Sequence, residues 1–153
     1  MFTWLRSLES ATAIVELHSD RIRVRDVSGD VTFEFEPLLS IDASQQVLSI
    51  GQPLHADAVK TYAPFASRAA LLQDWRIAQL ILQYAYSKLG SIAWPKPAPR
   101  IVLCVNGELA EEARRLDDET LVKLSAAAGA RVTVVHRGRP LSDVEAQRLL
   151  DSA

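Results

Sequence analysis

The chain has 153 residues, 48% of them hydrophobic and 24% charged, and a formal net charge of −2. That length suits one domain with one core, and the charge excludes the basic field on which sequence-independent nucleic-acid binding depends. One cysteine, Cys104, excludes an internal disulfide, and no apolar run reaches the ~20 residues needed to span a bilayer.

Residues 1–9 read as a segment of their own, ahead of a single domain over 10–153. On a helical wheel Met1, Trp4, Leu5 and Leu8 share a narrow arc with Phe2 at its edge, while Thr3, Arg6 and Ser7 lie opposite. The segment is too short for a secretory core, which predicts a cytoplasmic chain, but its apolar arc could lie in a membrane interface. Trp4, Leu5 and Leu8 would insert, and Phe2 and Arg6 would support them at headgroup depth. The plain alternative is packing on its own domain or on a partner.

Alternating apolar residues predict strands over Thr12 to Leu17 and Arg21 to Val27, with Ser19-Asp20 as the turn of a hairpin. Ser28-Gly29-Asp30 turns the chain into Val31 to Phe35, and short strands follow at Leu38 to Ile41 and Val47 to Ile50. Together these predict a mostly antiparallel N-terminal sheet. Pro53 is expected to open a short helix through Tyr62, which Pro64 ends. After a loop to Arg68, the apolar pattern from Leu71 to Leu89 predicts a largely buried helix stopped by Gly90.

Three prolines stiffen Trp94 to Pro99 and deliver the chain to a strand over Arg100 to Val105, where Cys104 is expected to be buried. Helical sequence follows from Leu109 to Ala128, with a break near Asp117-Asp118 and a stop at Gly129. Arg131 to His136 reads as a strand and Leu141 to Leu150 as a final helix beginning near Ser142 or Asp143. There is no internal repeat. Strands followed by alternating helices and strands predict an α/β fold, a mixed sheet covered by helices, with a right-handed crossover joining the last two strands.

Little in this pattern points to catalysis. Glu16, Asp74, Glu111 and Glu112 could act as an acid/base cluster, but their spacing does not bring them together, and carboxylates at strand ends and helix starts commonly cap or face water. The three histidines, His18, His55 and His136, show no metal-ligand spacing. The expectation is a protein that is not an enzyme and binds no metal.

Several stretches, in order, resemble the N-terminal half of the bacterial actin homologue MreB. "MFTWLRSL" looks like the family's amphipathic membrane-binding start. "IRVRDVSGDVTFEFEPLLSID" resembles its strand, turn, strand and Glu-Pro-containing strand, and "VLSIGQPLHAD" its Val-Gly-containing strand and short helix. "PAPRIVLCVNG" resembles its Cys-Val strand, and "AAAGARVTVVHRGRP" its Ala-Gly-Ala-Arg turn, strand and terminal proline. The resemblance implies one lobe of the actin-like, ribonuclease H-like fold.

The departures from that family are as informative. Its first hairpin carries Asp-hydrophobic-Gly-Thr, which lets the backbone approach nucleotide phosphate. Here the matching positions are Glu16, Leu17, His18 and Ser19, with no glycine and a shorter loop. The acidic pair before the family's terminal proline has become Gly138-Arg139 before Pro140. The family's catalytic carboxylate falls in a region represented by Glu108, Glu111 and Glu112. The chain also stops where the family would begin the half that completes its adenosine pocket.

The resemblance therefore implies a degenerate nucleotide site with no cofactor. It points to a non-catalytic, membrane-proximal scaffold or modulator of cell-shape machinery, peripheral on the inner face of the cytoplasmic membrane. Expected partners are the membrane surface, further copies of the chain, or a full-length actin-like filament, and not nucleic acid. Two other readings stay open. One is an actin-like ATP-binding protein completed by dimerisation, reusing Glu16, Ser19 and Glu111; the other is a soluble adaptor of a secretion or pilus assembly.

Overall fold

The computed structural model describes residues 11–27, 32–51, 55–89, 98–105 and 118–153. The amphipathic segment with Phe2, Trp4, Leu5, Arg6 and Leu8 lies outside the described residues, as do Glu108, Glu111 and Glu112.

Among the described residues the strands form two sheets. The larger has β1 (Thr12–Leu17), β2 (Ile22–Asp26), β3 (Thr32–Phe35), β7 (Arg100–Val105) and β8 (Val132–Arg137), in the order β3-β2-β1-β7-β8. β1, β2 and β3 form an antiparallel meander, whereas β1 pairs with β7, and β7 with β8, in parallel. This is the mixed sheet of the sequence reading. β1 and β7 are covered on both faces, so buried residues follow one another along β1 where alternation was expected, while β2 does alternate buried and more exposed positions.

Strand parity divides the molecule. Ala13, Val15 and Leu17 of β1 share one face with Ile22 and Val24 of β2 and with Ile101, Leu103 and Val105 of β7. That face forms the main core with α2 (Trp75–Ser87) and α3 (Asp118–Ala127), through Ile81, Leu82, Leu121 and Leu124. Phe33 and Phe35 extend it, with the Tyr84 ring edge-on to Phe35 at 5.1 Å. The opposite face carries a smaller buried cluster, in which Ile14, Val102 and Cys104 meet Leu141 and, from α4 (Asp143–Asp151), Ala146 and Leu150.

The second sheet corrects two expectations. β4 (Leu39–Ile41), β5 (Val47–Ile50) and β6 (Lys60–Tyr62) form a separate three-stranded sheet of order β5-β4-β6, instead of extending the first meander. The expected Pro53-to-Tyr62 helix is likewise not formed, since Lys60–Tyr62 is a strand. Pairing with the free edge of β4 outweighs a proline start signal, and β-branched Thr61 suits that edge, its hydroxyl 3.1 Å from that of Ser40.

The expected helix from Leu71 to Leu89 is two helices. α1 (Arg68–Gln73) is capped by Ser67, whose hydroxyl accepts from the Ala70 amide at 3.1 Å. Asp74 (φ −108°, ψ 42°) leaves helical geometry and separates α1 from α2. Further on, α3 ends two residues before Gly129, whose φ of +112° favours a residue without a Cβ. α4 opens with a capping box in which Ser142 and Glu145 satisfy each other's amides. Behind the main core, Tyr86, Ser125 and Thr133 tie α2, α3 and β8 together through their hydroxyls.

Candidate functional site

The first hairpin turns as tightly as its sequence predicts. Leu17 pairs with Ile22, and the His18 amide donates to the Arg21 carbonyl at 3.0 Å, so Ser19 and Asp20 alone form the tip. Neither residue takes a positive φ. A backbone anion cradle needs successive amides turned to one point by alternating right- and left-handed residues, and this turn has none of that geometry.

Glu16, just before the turn, points away from the main core. Register places it in a row across the sheet, Glu34 on β3, Arg23 on β2, Glu16, Cys104 on β7 and His136 on β8. The next row on that face holds Arg25 and Ile14. Arg23 and Arg25 alternate with buried Ile22, Val24 and Asp26, so the period-2 pattern of "IRVRD" turns both guanidiniums to one side.

These rows are the floor of a cavity of about 370 Å³, and Arg139, Pro140 and Leu141 are its wall. The wall exists because Gly138, with a φ of +112°, reverses the chain immediately after β8. His136 Nε2 lies 2.9 Å from the Arg139 carbonyl and steadies the returning segment. Two arginines are fixed from behind by α4. Arg25 pairs with Asp143 and donates to the Leu141 carbonyl at 3.2 Å, and Arg139 grips Glu145 through both terminal nitrogens. Arg23 is different. It is half exposed, and its nearest carboxylate, that of Glu16, is 3.8 Å away.

The electrostatics follow from these contacts. The hydrogen bonds from Arg139, helped by the Ser142 cap, hold Glu145 far below the usual carboxylate range, at about 2. Burial pushes the Cys104 thiol up to about 11; the Glu16 charge adds to this and Arg25 opposes it. The thiol is a neutral patch of the cavity floor at physiological pH.

The hairpin residues singled out in sequence therefore separate. Glu16 lines the cavity, while His18 and Ser19 stand in the turn. Arg139, the departure at the far end of the sequence, meets Glu16 in the same cavity. Asp74 lies between helices whose cores pack on the opposite face of the sheet, so it does not join Glu16 in an acid/base pair. No group of three or more His, Cys, Asp or Glu among the described residues could hold a metal ion. Sequence reasoning passed over Arg23 and Arg25, whose signal was their spacing of two on a strand beside Glu16.

No family model and no curated protein matches the sequence. Solved structures do. MreB5 of Spiroplasma citri bound to AMPPNP superposes with a TM-score of 0.57 at 15% identity, over 84% of this chain and 38% of that one. The fold is actin-like. The ADP-bound form of MreB5 gives the same values, and a non-polymerising mutant of MamK bound to AMPPNP gives a TM-score of 0.60 at 11% identity, over 85% of this chain and 41% of MamK. This chain spans about two fifths of the length of each of these actin-like proteins. At such identities the likeness is one of fold, and it bears out the resemblance to one lobe of MreB and the mixed α/β sheet.

Proposed function

We propose that the chain is a non-enzymatic, actin-like scaffold or modulator of bacterial cell-shape or cytoskeletal machinery that works by contact and does not bind ATP. The observation carrying this reading is the first hairpin. The His18 amide, the first that a phosphate loop would aim at its ligand, is spent closing the turn on Arg21, and no glycine or positive φ follows it. Beside it Glu16 faces guanidinium groups, an arrangement unlike a carboxylate left open to hold a hydrated cation. The MreB5 and MamK structures were solved with AMPPNP or ADP bound, which makes nucleotide the decisive ligand to test. Calorimetric titration of the full chain with Mg-ATP should give no saturable heat, and micromolar binding would overturn this reading.

Contact with the membrane, through Phe2, Trp4, Leu5, Arg6 and Leu8, belongs to the same proposal. Its support is the amphipathic arc of the sequence, and several copies on one filament would add their modest individual affinities. Full-length protein should pellet with anionic liposomes while a chain beginning at Ser10 stays in solution. Equal pelleting of the two removes the membrane from the proposal. Cosedimentation with a full-length actin-like filament, and analytical ultracentrifugation of the chain alone, distinguish filament docking from self-association.

A further inference from the structure

The geometry points to the cavity over β1, β2 and β7 as a binding site for a small organic anion, taken without a metal ion. This goes beyond the scaffold reading and does not depend on it.

Charge selects the ligand class. Three guanidiniums, those of Arg23, Arg25 and Arg139, line the cavity with one carboxylate, that of Glu16, while Asp143 and Glu145, the ion-pair partners of Arg25 and Arg139, stand outside the lining. A cation would have a single carboxylate to bind, with an arginine 3.8 Å from it. An anion would meet planar donors suited to a carboxylate or phosphate head.

Preorganisation supports the same class. Asp143 and Glu145 orient Arg25 and Arg139 from outside the lining, and each of these guanidiniums keeps an N–H that those contacts do not use. Their positions are thus set before any ligand arrives, which lowers the ordering cost of binding. The fold gives Arg23 no comparable task. Its 3.8 Å separation from Glu16 exceeds a hydrogen bond, so the side chain can turn to a ligand at little loss.

Shape completes the assignment. The volume of about 370 Å³ exceeds what a lone inorganic anion fills and lies at the lower end of the range for small-molecule sites, ~300–1,000 Å³. Ile14, Pro140 and Leu141 supply an apolar side, and the neutral Cys104 thiol continues it. The ligand has an anionic head among the arginines and a compact apolar body against Ile14 and Leu141.

The test is an amide ¹H–¹⁵N titration of the full chain at low ionic strength with EDTA present, using phenyl phosphate, benzoate and inorganic phosphate. Phenyl phosphate, benzoate or both should shift the amides of Glu16, Arg23, Cys104 and Leu141 saturably, and more tightly than inorganic phosphate; the stronger of the two identifies the head group. Arg23→Gln, checked for folding by circular dichroism, should weaken binding at least tenfold. Arg25→Gln should weaken it as well if the variant folds. Absence of saturable shifts with both aryl anions, an undiminished affinity in Arg23→Gln, or a requirement for added magnesium would each overturn the assignment. The Mg-ATP titration reports separately on the scaffold reading, so either proposal can fail alone.

Discussion

The phenol of Tyr86 lies 2.7 Å from the Ser125 hydroxyl, which also accepts from the Thr133 hydroxyl at 2.7 Å. Tyr86 and Ser125 are both buried, and burial raises the Tyr86 pKa well above its ordinary value, with Ser125 opposing the shift. This short chain of hydroxyls joins α2, α3 and β8 inside an otherwise apolar layer. Each member is satisfied by its neighbour, so the effect of breaking it depends on which member is removed.

Ser125→Ala should cost more than Tyr86→Phe. The first leaves the Tyr86 hydroxyl buried without Ser125, a penalty of ~1–3 kcal/mol, whereas the second removes that hydroxyl and leaves Ser125 bonded to Thr133, costing ~1 kcal/mol. The double variant should be less destabilised than the sum of the two. Urea denaturation of the three variants checks the order, and a larger loss in Tyr86→Phe would contradict it.

Gly138→Ala should destabilise the fold by ~1–2 kcal/mol. Nothing within 4 Å obstructs a Cβ there, so the cost comes from the φ of +112° alone. Gly138→Asn, which tolerates left-handed backbone better, should lose less. Thermal denaturation distinguishes the two. A variant Gly138→Ala as stable as the parent would mean that the turn is not held as described.

Acid should release α4 before it disturbs the main core. Arg139 lowers the Glu145 pKa to about 2, and Arg100, followed by Gln147, lowers that of Asp151. Because these folded-state values are depressed, their stabilisation is complete above the ordinary carboxylate values, ~4, and is lost as pH falls through the depressed ones. Both carboxylates face solvent, so the effect is modest and salt-sensitive. Hydrogen exchange, corrected for intrinsic rates, should show α4 amides losing protection between about pH 4 and pH 2 while β1 amides keep theirs. Simultaneous loss would refute the separation of the two layers.

Cys104 should be inert to thiol reagents near neutrality. Its pKa of about 11 leaves almost no thiolate at pH 8, and the side chain is 4% exposed. A folded-state pKa raised above the free thiol value of ~8.5 means that stability is full below pH 8.5 and declines as pH rises toward 11. Alkylation should be at least a hundredfold slower than in urea-unfolded protein. Glu16→Gln should lower the thiol pKa, because the Glu16 charge is part of what raises it.

Much of the fold was legible because its signals are local. Alternation marked β1 and β2, a continuous apolar run marked β7, and Ser142 or Asp143 marked the start of α4. What was not legible depends on partners distant in sequence. Lys60–Tyr62 becomes a strand because β4 has an edge to fill, and the break at Asp74 has no proline or glycine to announce it. The site divides in the same way. The glycine-free turn after Glu16 could be read from adjacent residues, and Arg139 from its place before Pro140. That the two share a cavity with Arg23 and Arg25 follows from β1 pairing with β7 and from the return of the chain after Gly138, neither of which the local sequence encodes.

The parallel pairing of β1 with β7 joins strands far apart in the sequence, Thr12 opposite Arg100. During synthesis the β1–β2–β3 meander can form from its own turns, but one edge of β1 then waits, its backbone groups unpaired, until β7 leaves the ribosome. Such an edge invites pairing with other nascent chains, and closing so long a loop is slow. The same strand that carries Glu16 is thus a point of vulnerability in biogenesis, where a chaperone that shields open strand edges would raise the yield of folded protein.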